Sequence, residues 1–90
     1  MVGMQDDAIV LHKAISKTIS LIREDKGVRY TDLCFGYDIP TSTFDDIMSA
    51  KRLSSFYSIA KVIKALGLSF EEFGALLDKE LPENFMDKID

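Results

Sequence analysis

Apolar residues recur at three- and four-residue steps along most of this chain, the spacing that places side chains on one face of an α-helix. One such stripe runs from about Asp6 to Lys26, and Gly27 ends it. Shorter apolar faces lie within residues 30–37 and 41–50, and a fourth stripe on 56–66 is closed by Gly67, a typical C-cap residue. No segment alternates with period two over the length of a strand. The pattern therefore predicts an all-α fold.

A fifth helix has the clearest predicted start. Ser69 and Glu72 have the spacing of a capping box, in which each side chain accepts a hydrogen bond from the other residue's backbone N–H. Leu68 and Phe73 stand where a hydrophobic staple packs across the helix entry. The helix is expected to run to about Glu80, because Pro82 cannot continue it undisturbed. Apolar residues within 85–89 predict a short sixth helix or a frayed end. The expected architecture is thus a five-helix bundle with a short C-terminal addition.

Length and charge set the outer limits. Ninety residues with 47% apolar content support one domain over 1–90, with a core from 9 to 77 and an acidic extension from 78 to 90. The net charge is -4, but residues 1–70 carry nine Lys or Arg against eight Asp or Glu, so the acidity belongs to the remaining segment. Acidic residues stand where a secretory leader needs a basic flank, and no apolar run reaches the roughly 20 residues of a membrane span. A cytoplasmic protein without membrane contact is expected.

The segment RYTDLCFGYDIPTSTFDDIMSAKR, residues 29–52, is the most informative part of the chain. Two short helical segments are joined there by a tight connector, 37–40, which leaves no room for them to lie antiparallel. A steep crossing of this kind is the helix-turn-helix arrangement, in which the start of the second helix faces a groove of DNA. Three hydroxyl residues open that second helix. The segment therefore predicts a DNA-binding surface.

The pattern ISLIREDKG, then TDLCFGYDIPTSTFDDIMSAKR, then SIAKVIKALGLSFEEF resembles the Cro/C1-type, or XRE-family, helix-turn-helix regulators over roughly residues 9–77. The resemblance implies a lambda-repressor-like bundle whose third helix lies in the major groove of double-stranded DNA. It places Thr41, Ser42 and Thr43 at base and phosphate contacts, with Asp46 one turn further on the same face. The remaining contacts that it implies are Tyr30 before the turn and Ser49, Lys51 and Arg52 after the recognition helix.

Departures from the family pattern give further expectations. Asp38 stands where relatives usually have the turn glycine, and Asp tolerates the positive φ that this position requires. Met48 replaces a Glu that pairs with the helix-one arginine in relatives, so Arg23 is expected to be partly exposed. Asp45 is expected to stabilise the helix N-terminus through its dipole. For Asp46, a contact to cytosine and simple solvation are equally favoured.

Other chemistry finds little support in the sequence. There is a single His and a single Cys, so neither a metal site, a cofactor nor an enzyme is expected. His12 is interpreted as a surface residue, Cys34 as a small buried residue, and most of a set of aromatic residues as core. That set is Phe35, Phe44, Phe56, Tyr57, Phe70 and Phe73.

Two function classes remain open at this stage. One is a sequence-specific transcriptional regulator, a repressor, that binds DNA as a homodimer because one short helix meets few base pairs. The alternative is a protein-interaction module of antitoxin or antirepressor type that retains the fold. The C-terminal apolar residues either form the dimer or partner contact or pack back on the core, and they are Leu76, Leu77, Leu81, Phe85, Met86 and Ile89.

Overall fold

The computed structural model describes residues 6–52 and 54–89 and is helical throughout its regular structure. These residues contain five α-helices, which confirms the prediction of an all-α fold with five helices. A short 3-10 helix at Phe85–Lys88 occupies the predicted sixth position. The α-helices are α1 (Asp6–Lys26), α2 (Tyr30–Gly36), α3 (Thr41–Ser49), α4 (Phe56–Ala65) and α5 (Phe70–Glu80).

Helix α1 is the longest element and forms one side of the core. Its bounds match the predicted ones, and its stripe buries Ile15, Ile19 and Ile22. Gly27 follows with a φ of 67°, a left-handed conformation that turns the chain away from the helix axis. Helices α3 and α5 both pack on α1, and α4 packs on both of them. The second half of the chain is therefore organised around the first helix.

The core unites apolar residues from all five α-helices. Ile19, Leu33 and Val62 are fully buried in it, and Phe44 and Ile47 of α3 are almost so. Cys34 lies in the same cluster, as predicted for a small packing residue. The buried residues of α3 are tightly packed in this core, so the orientation of the exposed side of the helix is fixed as well.

The start of α5 matches its prediction in detail. The Ser69 hydroxyl accepts a hydrogen bond from the Glu72 N–H at 3.1 Å, and the Glu72 carboxylate accepts one from the Ser69 N–H at 2.9 Å. Hydrogen bonding from Ser69, above all from its backbone N–H to the carboxylate, lowers the pKa of Glu72. Leu68 packs against the core that contains Phe73, as a hydrophobic staple requires. The helix entry is thus specified within the short segment 68–73.

An ion pair connects the end of α5 to α1. Helix α5 ends at Glu80, two residues before Pro82, and the Glu80 carboxylate lies 3.2 Å from the Lys17 ammonium of α1. Within the described residues, no helix combines the length and apolar character that crossing a bilayer requires.

Candidate functional site

The start of α3 is open. Pro40 precedes the helix and, among the described residues, no side chain caps its first turn. Thr41 and Ser42 are exposed and Thr43 is half-buried, so three hydroxyls and the N–H groups of the first turn lie together at one end of the helix. The Phe44 N–H instead bonds the Pro40 carbonyl at 3.0 Å and begins the helical ladder. The arrangement is a polar helix end that offers donors and acceptors to a ligand.

Contacts with α1 and the core hold α3 in place. Phe44 is only 1% exposed and Ile47 is buried beside it. The Ser16 hydroxyl donates a hydrogen bond of 2.6 Å to the Met48 carbonyl, which anchors the last turn of α3 to the middle of α1. A helix packed and bonded in this way keeps its exposed hydroxyls in one geometry, which lowers the entropic cost of binding through them.

Tyr30 and Asp45 are partners within the site. The Tyr30 hydroxyl donates to the Asp45 carboxylate across 3.3 Å, and the Tyr30 ring meets the edge of Phe44 with centroids 5.2 Å apart. Partial burial, followed by the charge of Asp45, raises the pKa of Tyr30, so the phenol remains a donor. The predicted dipole role of Asp45 is wrong, because Asp45 is the fifth residue of α3, beyond its first turn, and accepts from Tyr30 instead.

The far end of α3 presents positive charge. The Ser49 hydroxyl donates to the Asp46 carbonyl at 3.3 Å, and Ala50 then adopts a left-handed conformation that ends the helix. Lys51 and Arg52 follow directly, and both side chains are exposed. The Asp46 side chain is half-buried. Of the eight residues predicted to contact DNA, seven thus lie on α3 or directly after it, and the eighth, Tyr30, contacts α3 from α2.

The connector between α2 and α3 has the predicted backbone conformation and one stabilising contact that the sequence did not predict. Asp38 takes a φ of 56°, which confirms the left-handed conformation predicted at this position. The Ile39 N–H bonds the Cys34 carbonyl at 3.1 Å, and the Lys61 ammonium of α4 donates to the Asp38 carbonyl at 3.1 Å. Lys61 is 23 residues away in sequence, and no local pattern could have paired it with this turn.

His12 is not the surface residue that the sequence predicted. It is buried, with Nδ1 3.0 Å from the Ala8 carbonyl and Nε2 accepting the Ser54 N–H at 3.3 Å. A tautomer with its proton on Nδ1 satisfies both contacts, so the ring ties the segment before α4 to α1. Elsewhere in the described part of the chain, no group of three or more His, Cys, Asp or Glu side chains is placed to hold a metal ion.

The aromatic residues are also less buried than the sequence predicted. Only Phe44 and Phe73 of the six are buried, whereas the other four are exposed, namely Phe35, Phe56, Tyr57 and Phe70. Phe56 and Phe70 stack on each other, with centroids 5.4 Å apart, rather than on the core. They line an apolar groove between α1, α4 and α5 that also includes Leu11, Ile15 and Leu77. We call this feature the aromatic groove.

The C-terminal apolar residues divide between the two alternatives. Phe85 is buried, and Leu77 and Leu81 are partly buried. Met86 is 72% exposed, Ile89 44% and Leu76 37%. Within residues 76–89, therefore, packing against the chain accounts for three of the six side chains and leaves the other three accessible.

Comparison with known proteins identifies no relative: no family model, curated protein or solved structure matches the chain.

Proposed function

We propose that the chain is a sequence-specific DNA-binding regulator, a repressor of helix-turn-helix type, in which α3 enters the major groove of double-stranded DNA. The observation that carries the proposal is the open start of α3, where Thr41, Ser42 and Thr43 project from a helix fixed to the core by Phe44 and Ile47. Hydroxyls donate and accept at base edges and at phosphates, and threonine methyls contact the thymine methyl group. The short connector between α2 and α3 is typical of this motif.

Electrostatics support a weak, salt-sensitive interaction. Lys51 and Arg52 lie at the far end of α3, while the pairing of Asp45 with the Tyr30 hydroxyl keeps one carboxylate engaged on the protein. Two exposed cations form a small footprint, so one domain meets few phosphates. Two copies on adjacent half-sites multiply both affinity and discrimination, and a homodimer on DNA is therefore part of the proposal.

The test is selection from a library of duplex fragments at two salt concentrations. We expect enriched sites and a steep loss of binding at the higher salt. Ser42→Ala combined with Thr43→Ala should reduce the preference for the enriched site over random duplex by about 1–3 kcal/mol for each base that is no longer bound. Thr43→Ser and Thr43→Val serve as matched controls, since the first keeps only the hydroxyl and the second keeps only the shape. Unchanged discrimination in the double variant would exclude this surface.

A second candidate function follows from the aromatic groove. Two exposed, stacked phenylalanines beside an apolar groove are typical of a protein-interaction surface. The alternative is therefore a module that binds another protein and uses the fold without DNA. The same fragment selection separates the two functions: retention of no duplex at low salt would remove the regulator and leave the interaction module.

A further inference from the structure

Arg23 is a charged side chain without a partner among the described residues. It is partly exposed, as predicted, and its guanidinium carbon lies 5.6 Å from the centroid of the Phe44 ring. Its Nε atom is buried and has no hydrogen-bond partner there. No described carboxylate forms an ion pair with it. A guanidinium that is held on a ring, partly exposed and without a carboxylate partner favours an anion, because charge-assisted hydrogen bonds are the strong ones. The buried Nε itself has too little accessible surface to bind a ligand unless the side chain moves.

A second arginine lines the same shallow groove. The groove lies between the end of α1 and the start of α2, and Arg23, Arg29 and Tyr30 contribute to its wall. Ser20 adds a hydroxyl, and Glu24 contributes the one carboxylate among the lining residues. The lining residues thus provide two guanidinium groups and one carboxylate. Two further carboxylates lie next to the lining, since Asp32 accepts from the Arg29 N–H and Asp45 from the Tyr30 hydroxyl. An anion that binds the two guanidinium groups must therefore gain more from them than it loses by repulsion from these carboxylates.

The position of the groove identifies the class of anion. Tyr30 and Arg23 both pack on Phe44, and Tyr30 also bonds Asp45, so the groove adjoins α3 through these shared contacts. We propose that Arg23 and Arg29 hold a phosphate group here and, resting on the proposed function, that it is a backbone phosphodiester of duplex DNA. Arginine suits this role because its planar fork matches two phosphate oxygens at once. The contact adds α1 to a DNA surface otherwise formed by α2, α3 and the residues after α3.

The first measurement is the salt dependence of duplex binding by the full chain. Arg23→Met keeps an apolar stem over Phe44 and removes the charge, so the slope of log affinity against log salt should become shallower by about 0.9. Affinity should fall equally on the enriched and random duplexes, because a phosphate carries no sequence information. Arg23→Lys restores the charge and should restore the slope. Lys13→Met removes an exposed α1 cation ten residues earlier and should leave the slope unchanged.

The second measurement separates this inference from the proposed function. Inorganic phosphate is titrated into the chain while the Arg23 Nε–Hε signal is followed by NMR, with chloride at equal ionic strength as the control. A saturable shift with phosphate alone supports the groove as a phosphate site even if no duplex is retained. The inference is wrong if phosphate produces no such shift. It is also wrong if Arg23→Met leaves the salt slope unchanged while Ser42→Ala with Thr43→Ala still loses discrimination. Either result would leave the proposed regulator function in place.

Discussion

Helices α3 and α5 begin in opposite ways. The first turn of α5 is closed by the reciprocal hydrogen bonds of Ser69 and Glu72, whereas the first turn of α3 follows Pro40 and carries no capping side chain within the described residues. Helix α3 nevertheless has hydroxyls at its first three positions. Hydroxyls at a helix start can therefore serve different purposes. At α5 one hydroxyl stabilises the helix itself, while at α3 they are left available to a ligand.

The two helices consequently depend on different sources of stability. Helix α5 has a locally encoded entry, but α3 has nine residues and relies on Phe44, Ile47 and the Ser16 contact to remain in place. Short helices are marginal on their own, so tertiary packing must supply what the missing cap does not. Under the proposed function this dependence is useful, because Phe44 and Ile47 fix the helix in the core while its first-turn hydroxyls are left uncapped within the described residues.

The largest effect should come from removing the anchor of α3. Phe44→Ala is expected to lower the free energy of unfolding by about 3–5 kcal/mol, since the ring is fully buried and supports Tyr30 as well as Arg23. Urea denaturation measures the loss. Phe35→Ala is the control, because its ring is 77% exposed and its removal should change stability by less than about 0.5 kcal/mol. Equal losses at the two positions would contradict the assignment of Phe44 as the anchor.

A smaller effect should distinguish the two helix starts directly. Ser69→Ala removes a cap and should cost about 1 kcal/mol of stability. Ser42→Ala removes a hydroxyl with no capping bond, and its cost should stay below about 0.5 kcal/mol because alanine favours the helix. Thermal unfolding of both variants in one buffer provides the measurement. If Ser42→Ala cost as much as Ser69→Ala, the hydroxyls of α3 would be structural, and their assignment to a ligand would fail.

The same contrast explains what the sequence could and could not predict. The bounds of α1, the start of α5 and the left-handed Asp38 were predicted because their signals lie within a few neighbouring residues. The burial of His12 was not, since its partner Ser54 is 42 residues away in sequence. Helical spacing likewise shows that Phe56 and Phe70 each belong to the apolar face of their own helix, but it does not show whether a neighbouring element covers that face. A single sequence therefore predicts features that depend on neighbouring residues, but it does not predict which distant segments contact each other.

The free energy of unfolding should depend on pH through the start of α5 rather than through α3. Hydrogen bonds that Ser69, chiefly through its backbone N–H, donates to the Glu72 carboxylate lower the pKa of Glu72 in the folded chain, so the unfolded chain takes up the proton first as the pH falls. The stabilisation from Glu72 is complete above the ordinary glutamate pKa, about 4.3, and is lost as the pH falls through the lower folded value. Glu72→Gln should flatten this part of the stability curve measured by urea denaturation between neutral and acid pH. A Glu72→Gln curve parallel to the wild-type one would show that other carboxylates carry the dependence.

The smallest effect concerns the exit of α3, where Ala50 holds a φ of 56° that glycine adopts without strain. The left-handed conformation costs an L-residue about 1–2 kcal/mol, which Ala50→Gly should recover. Two terms oppose this gain: glycine loses about 0.4–1 kcal/mol more chain entropy on folding, and the substitution removes a buried methyl group. These terms largely cancel, so we expect the free energy of unfolding, measured by urea denaturation, to change by less than about 0.8 kcal/mol in either direction. A destabilisation beyond that size would mean that packing of the Ala50 methyl, rather than backbone strain, determines how α3 ends and how Lys51 and Arg52 are presented.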